Sequence, residues 1–83
     1  MANKALTIPE FLAEQNKRLN KKLDEMHPEE IGDEADWPRP RVVGDTNGYK
    51  LVDENGEFYT GLIIRGIWGH IDKEMTEEFD IIS

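Results

Sequence analysis

Two Asn-Gly dipeptides, Asn47-Gly48 and Asn55-Gly56, stand eight residues apart in a chain of only 83. Both central positions of a type I′ hairpin turn need a positive φ, which Asn tolerates and Gly adopts freely. Each dipeptide therefore predicts a two-residue β-hairpin turn. Together they divide three strands, at about Arg41 to Gly44, Tyr49 to Asp53 and Glu57 to Arg65, into a β-meander. With Asn55-Gly56 as the turn, Asp53 opposes Phe58, Leu51 opposes Thr60 and Tyr49 opposes Leu62. Tyr49, Leu51, Phe58, Leu62 and Ile64 then share the expected core face. The opposite face carries Lys50, Val52, Tyr59, Ile63 and Arg65, apolar enough to need a cover from a second element or a partner.

Ahead of the meander, Thr7 followed three residues later by Glu10 is a capping box, and Pro9 sits in a first turn where its missing N–H costs nothing. Ile8, Phe11, Leu12, Leu19, Leu23 and Met26 follow a helical period, so a helix is expected over about residues 8–26, stopped by Pro28. Leu12, Asn16, Leu19, Leu23 and Met26 also fit the a/d spacing of a short coiled coil with one polar position, which makes them the candidate self-association face. The heptads are fewer than a stable coiled coil requires, and packing on the chain's own sheet competes for the same residues.

Residues 27–40 form an acidic, proline-bearing connector. Pro28-Glu29-Glu30-Ile31 can start a short helix before Gly32 interrupts it, and Trp37-Pro38-Arg39-Pro40-Arg41 reads as an extended segment pinned by Trp37. Beyond Arg65 lies a C-terminal element over 67–83. It reads as a short helix capped by Asp72 with Ile71, Met75 and Phe79 on one side, or as a fourth strand at Phe79 to Ser83. Gly61, Gly66 and Gly69 suggest a bulge or bend in and after the third strand. The expected fold is α+β in one domain spanning 1–83: an N-terminal amphipathic helix packed on a three- to four-stranded antiparallel meander, with a short C-terminal helix or strand.

The charge is clustered. The net charge is -8, and the run from Asp24 to Asp36 holds Asp24, Glu25, Glu29, Glu30, Asp33, Glu34 and Asp36 without a Lys or Arg. A second acidic group, with Glu74, Glu77 and Glu78, lies near the end and is opposed only by Lys73. Such a balance repels nucleic acid and anionic membrane. The basic band Lys17, Arg18, Lys21 and Lys22 has no interleaved aromatic residue and reads as a solvated helix face.

Catalytic chemistry has little to stand on. Cysteine is absent and the only Ser is Ser83, which removes a disulfide scaffold, a thiol nucleophile and an internal serine nucleophile. The Asp45 and Asp53 turns open like calcium loops but place Gly56 and Ile64 where the bidentate Glu belongs. His70 with Asp72 and Glu74 is a weak metal set, and no phosphate-binding glycine loop occurs. No enzyme activity, cofactor or metal is expected. With no apolar run long enough to span a bilayer and no signal peptide in the opening residues, the cytoplasm is the expected compartment.

The expected function is therefore a small acidic binding protein that inhibits or modulates a larger protein bearing a basic surface. The acids above supply the charge, and Trp37, Tyr59 and Trp68 supply the anchors. A partner whose basic surface is its nucleic-acid site would make the chain a polyanion mimic. The alternative is a self-associating accessory subunit, monomer or homodimer, joined through the Leu12 to Met26 face. In general type, a short, acidic, cysteine-free chain without a catalytic motif resembles the small phage-encoded proteins that bind and block a host enzyme. That resemblance implies a host protein partner in the host cytoplasm.

Overall fold

The capping box forms as its sequence requires. In the computed structural model, which describes residues 4–82, the Thr7 N–H donates to Glu10 Oε1 at 3.0 Å and the Glu10 N–H donates to Thr7 Oγ1 at 3.4 Å. This opens α1 (Ile8–Glu25), whose deeply buried stripe is Phe11, Gln15, Leu19 and Leu23. The stripe repeats every fourth residue, so Leu12 and Asn16 flank it rather than centre it. A strand absent from the sequence reading, β1 (Lys4–Thr7), runs straight into the helix.

Pro28 ends α1 and starts α2 (Pro28–Ile31), a single turn on which the His27 N–H donates to Glu30 Oε2 at 3.2 Å. A 3₁₀ turn, Gly32–Asp36, follows. The chain then forms β2 (Arg41–Asp45) and β3 (Gly48–Val52), an antiparallel hairpin pairing Val42 with Leu51 and Gly44 with Tyr49. Next comes α3 (Leu62–Glu78), and β4 (Phe79–Ile82) closes the described chain by pairing in parallel with β1, Lys4 opposite Phe79 and Thr7 opposite Ile82. The fold is α+β with two separate two-stranded sheets.

The meander is therefore corrected at both turns. No non-glycine residue among those described has a positive φ, which excludes a type I′ turn at either Asn-Gly. Asp45 pairs with Gly48, so the first loop is Thr46-Asn47. At the second, the Asp53 N–H donates to the Glu57 carbonyl at 2.7 Å and the Gly56 N–H donates to the Asp53 carbonyl at 3.0 Å. With Gly56 at φ 79, this is a three-residue loop built from a type I turn and a left-handed glycine. The extra residue moves the register by one and exchanges the two faces. Tyr59 turns inward, 3% exposed, while Phe58 is 55% exposed.

The third strand is reduced to one bridge, Val52 with Phe58, and the residues assigned to its end form the first turn of α3. Leu62 is 76% exposed there instead of lying in the core. The helix begins ten residues before Asp72, which is not its cap. Ile64, Ile71 and Met75 put an apolar stripe on α1, outweighing the helix-weakening effect of Gly66 and Gly69. Val52, expected on the uncovered face of the meander, is buried as well, so the chain covers both faces at that end of the hairpin.

Leu6, Phe11, Leu19, Leu23, Val42, Leu51, Tyr59, Ile64, Met75 and Phe79 belong to one core cluster. Removing such a side chain to Ala costs about 2–5 kcal/mol. Polar side chains join the elements around it. Buried Gln15 accepts from the Trp68 indole N–H at 2.9 Å and donates to Asp72 Oδ1 at 2.7 Å, linking α1 to α3. Asn16 accepts from the Val42 N–H at 2.8 Å and donates to the Val42 carbonyl at 3.1 Å, standing in for a neighbouring strand beside β2. Arg18 grips both carboxylate oxygens of Glu78 at 2.9 and 3.2 Å, holds Glu14 at 2.7 Å and lies 5.4 Å from the centre of the Phe79 ring.

Candidate partner-binding surface

The acidic run does not behave as one surface. Glu34, on the 3₁₀ turn, is only 7% exposed. Its Oε1 accepts from the Ile64 N–H at 2.9 Å and the Tyr59 hydroxyl at 3.3 Å, and its Oε2 accepts from the Ile63 N–H at 2.9 Å. The carboxylate thus caps the first turn of α3 from outside the helix, where free N–H groups and the helix dipole both favour a negative charge. Gly61, just before α3, is in close approach to it: a Cβ there would run into Glu34 Oε1 and the Tyr59 ring. Glu34 is therefore removed from the contact surface to which its neighbours in sequence were assigned.

The other acids of the run, Asp24, Glu25, Glu29, Glu30, Asp33 and Asp36, are exposed. Asp24 pairs with Arg39 at 2.7 Å, whereas Glu25, Glu29, Asp33 and Asp36 make no ion pair among the described residues. In the second acidic group, Glu74 and Glu77 are exposed. Glu78 is engaged by Arg18, whose hydrogen bonds hold its carboxyl below the ordinary carboxylate range.

The three aromatic candidates separate in the same way. Tyr59 is core, and Trp68 is partly buried with its indole N–H on Gln15. Trp37 is 43% exposed and makes a T-shaped contact with Tyr59, ring centroids 6.0 Å apart and planes at 69°. Trp37 stands between two clefts. One, of about 230 Å³, has Met26, Ile31 and Ile64 in its floor and Asp24, Glu34 and Arg39 in its lining. The other, of about 180 Å³, is lined by Trp37, Pro38, Tyr59 and Thr60 together with Asp53 and Glu54. The hairpin loop thus adds two carboxylates that the sequence reading left in a turn.

The candidate self-association face is used within the chain. Leu19 and Leu23 are 0% and 3% exposed, Asn16 is bonded to Val42, and Leu12 and Met26 pack against the core. Exposed apolar residues gather instead at the start of α3, where Phe58, Leu62 and Ile63 reach solvent and the Arg65 guanidinium lies 4.6 Å from the centre of the Phe58 ring. The exposure of Phe58 follows from the one-residue shift at Asn55-Gly56, signalled by the Asp53-Glu54-Asn55-Gly56 frame with Asp at the first and Gly at the fourth position of a type I turn, whereas Leu62 and Ile63 are exposed because they open α3 instead of continuing a strand.

Chemistry at the remaining candidates is limited. His70, Asp72 and Glu74 lie on a helix rather than on a strand that would align them, and Asp72 is taken up by Gln15. Among the described residues no three His, Asp or Glu side chains converge to hold a metal ion, and no helix is long and apolar enough to cross a membrane. The chain matches no family model, and no curated protein or solved structure is significantly similar to it.

Proposed function

We propose that this chain is a non-enzymatic binding protein that modulates a larger protein by presenting an acidic surface to a basic one. The observation that carries the reading is the exposed run Glu25, Glu29, Asp33 and Asp36, without ion pairs among the described residues and ending at an exposed Trp37. Of the carboxylates from Glu29 to Asp36 only Glu34 is buried, and Glu30 caps α2 from the surface; the exposed acids supply long-range attraction, and the indole supplies desolvated contact area. Where the partner's basic surface is its nucleic-acid site, the chain acts as a polyanion mimic in the manner of a host-directed inhibitor.

The test is affinity capture from nuclease-treated lysate, with elution by a salt gradient. Screening weakens attraction between exposed charges, so the captured protein should release at moderate salt, and added DNA should compete for it. The fourfold variant Glu29→Gln, Glu30→Gln, Asp33→Asn, Asp36→Asn should lose capture while keeping the wild-type circular dichroism. Equal capture by the variant, or retention that ignores salt, would sink the proposal.

A further inference from the structure

We propose that Trp37 and its two flanking clefts receive a basic protein segment, with two arginine or lysine side chains straddling the indole, one in each cleft. The inference rests on the acidic-surface reading and adds where the partner is gripped. Trp37 is 43% exposed yet fixed, since it makes a T-shaped contact with a buried Tyr59 that is itself bonded to Glu34. A fixed, partly exposed indole attracts a cation through its ring quadrupole, and arginine does this best when the plane of its guanidinium can stack.

The clefts match such side chains in shape and charge. The first combines an apolar floor with carboxylates, which suits an aliphatic stem ending in a cation. Its innermost carboxylate, Glu34, is more than nine-tenths buried, and every hydrogen bond it accepts comes from a neutral donor. Its charge is met by hydrogen-bond dipoles and not by a cation among the described residues, so a cation entering the cleft would be attracted to it. The chain already places one guanidinium there, Arg39 on Asp24 at 2.7 Å, which shows the chemistry the cleft accepts and the group an incoming arginine would displace. The second cleft offers Asp53 and Glu54, with no Lys or Arg in its lining.

The experiment is an NMR titration of the full chain, following its two indole N–H signals. The probes are short peptides with two arginines at varied spacing, the same peptides with citrulline, and spermidine. Trp68, bonded to Gln15, serves as the internal reference. The arginine peptides should shift the Trp37 signal and leave Trp68 in place, while the citrulline peptides should shift neither. Trp37→Leu, which keeps an apolar contact for Tyr59, should weaken binding about fivefold or more. Glu54→Lys should weaken it more than Glu77→Lys, although both change the net charge equally. An unmoved Trp37 signal, equal effects of the two charge reversals, or an equal response to spermidine would overturn the proposal. A captured partner that still releases with salt but ignores Trp37→Leu would overturn it while leaving the acidic-surface reading intact. Salt-independent capture alongside a shifted Trp37 would do the reverse.

Discussion

Glu34 shows how a single carboxylate can belong to folding while its neighbours belong to the surface. Three donors converge on it, two of them backbone N–H groups that α3 cannot satisfy internally. Glu34→Ala should therefore cost about 2–4 kcal/mol in urea unfolding, the loss of a cap together with a buried hydroxyl left unpaired. Glu34→Gln, which keeps acceptor oxygen but loses the charge, should cost less. Tyr59 gives the site a pH signature. Burial first, then the neighbouring Glu34 carboxylate and the hydrogen bond to it, push its hydroxyl up to about 12. An unfolded tyrosine ionises near ~10, so the folded state holds the proton more tightly. The stability this contributes is complete below about pH 10 and is lost as the pH rises through about 12. Urea midpoints over that alkaline range should fall more steeply for the wild type than for Tyr59→Phe; parallel curves would refute the coupling. None of this was legible in the sequence, because the partners of Glu34 lie 25 to 30 positions away and an acid within an acidic run carries no mark of its burial.

Among the elements, legibility follows the range of the signal. α1 could be read in full because its cap, its proline and its apolar period all act within a few residues. The polar residues of its inner faces could be read only as polar; that Gln15 joins Trp68 to Asp72 and that Asn16 lines up with Val42 depends on elements far along the chain. The hairpin region could be placed but not registered, since each Asn-Gly favours a type I′ turn while the Asp three positions before each Gly favours a type I turn. The second half of α3 could be read from Ile71 and Met75, which lie on its buried side, but its first half could not, because Gly66 and Gly69 suggest a bent strand, although neither has any neighbour within 4 Å of where a Cβ would stand. That open space leads to a prediction. Gly66→Ala and Gly69→Ala should each stabilise the protein by about 0.5–1 kcal/mol through helix propensity alone, measured as a higher urea midpoint at unchanged slope. Destabilisation by either would show that the helix is held by something other than its packed stripe.

At the scale of the whole molecule, α+β class and the acidic surface were legible from composition and periodicity, whereas the two-sheet arrangement was not. The pairing of β1 with β4 joins opposite ends of the described chain, and four-residue strands give little local warning of such a contact. The same global view decides how the helix face should respond to mutation. Leu19 is fully buried among α1's intramolecular contacts, so Leu19→Asp should unfold the chain rather than dissociate an assembly. Circular dichroism and sedimentation of that variant separate the outcomes: a folded protein of smaller mass would restore self-association through this face, and loss of helix signal would remove it.

The β1–β4 pair also fixes how the molecule bears a load. Because the strands run parallel, Lys4 lies at one end of the ladder and Ile82 at the other. Tension applied at those two residues slides the strands along each other, so the inter-strand bonds are strained together instead of being opened one after another from a free end. Everything between Thr7 and Phe79 lies behind that clamp and feels no extension until it yields. A chain with a thin core, tethered at both ends, would thus resist pulling well beyond what its equilibrium stability suggests, and then give way in a single step.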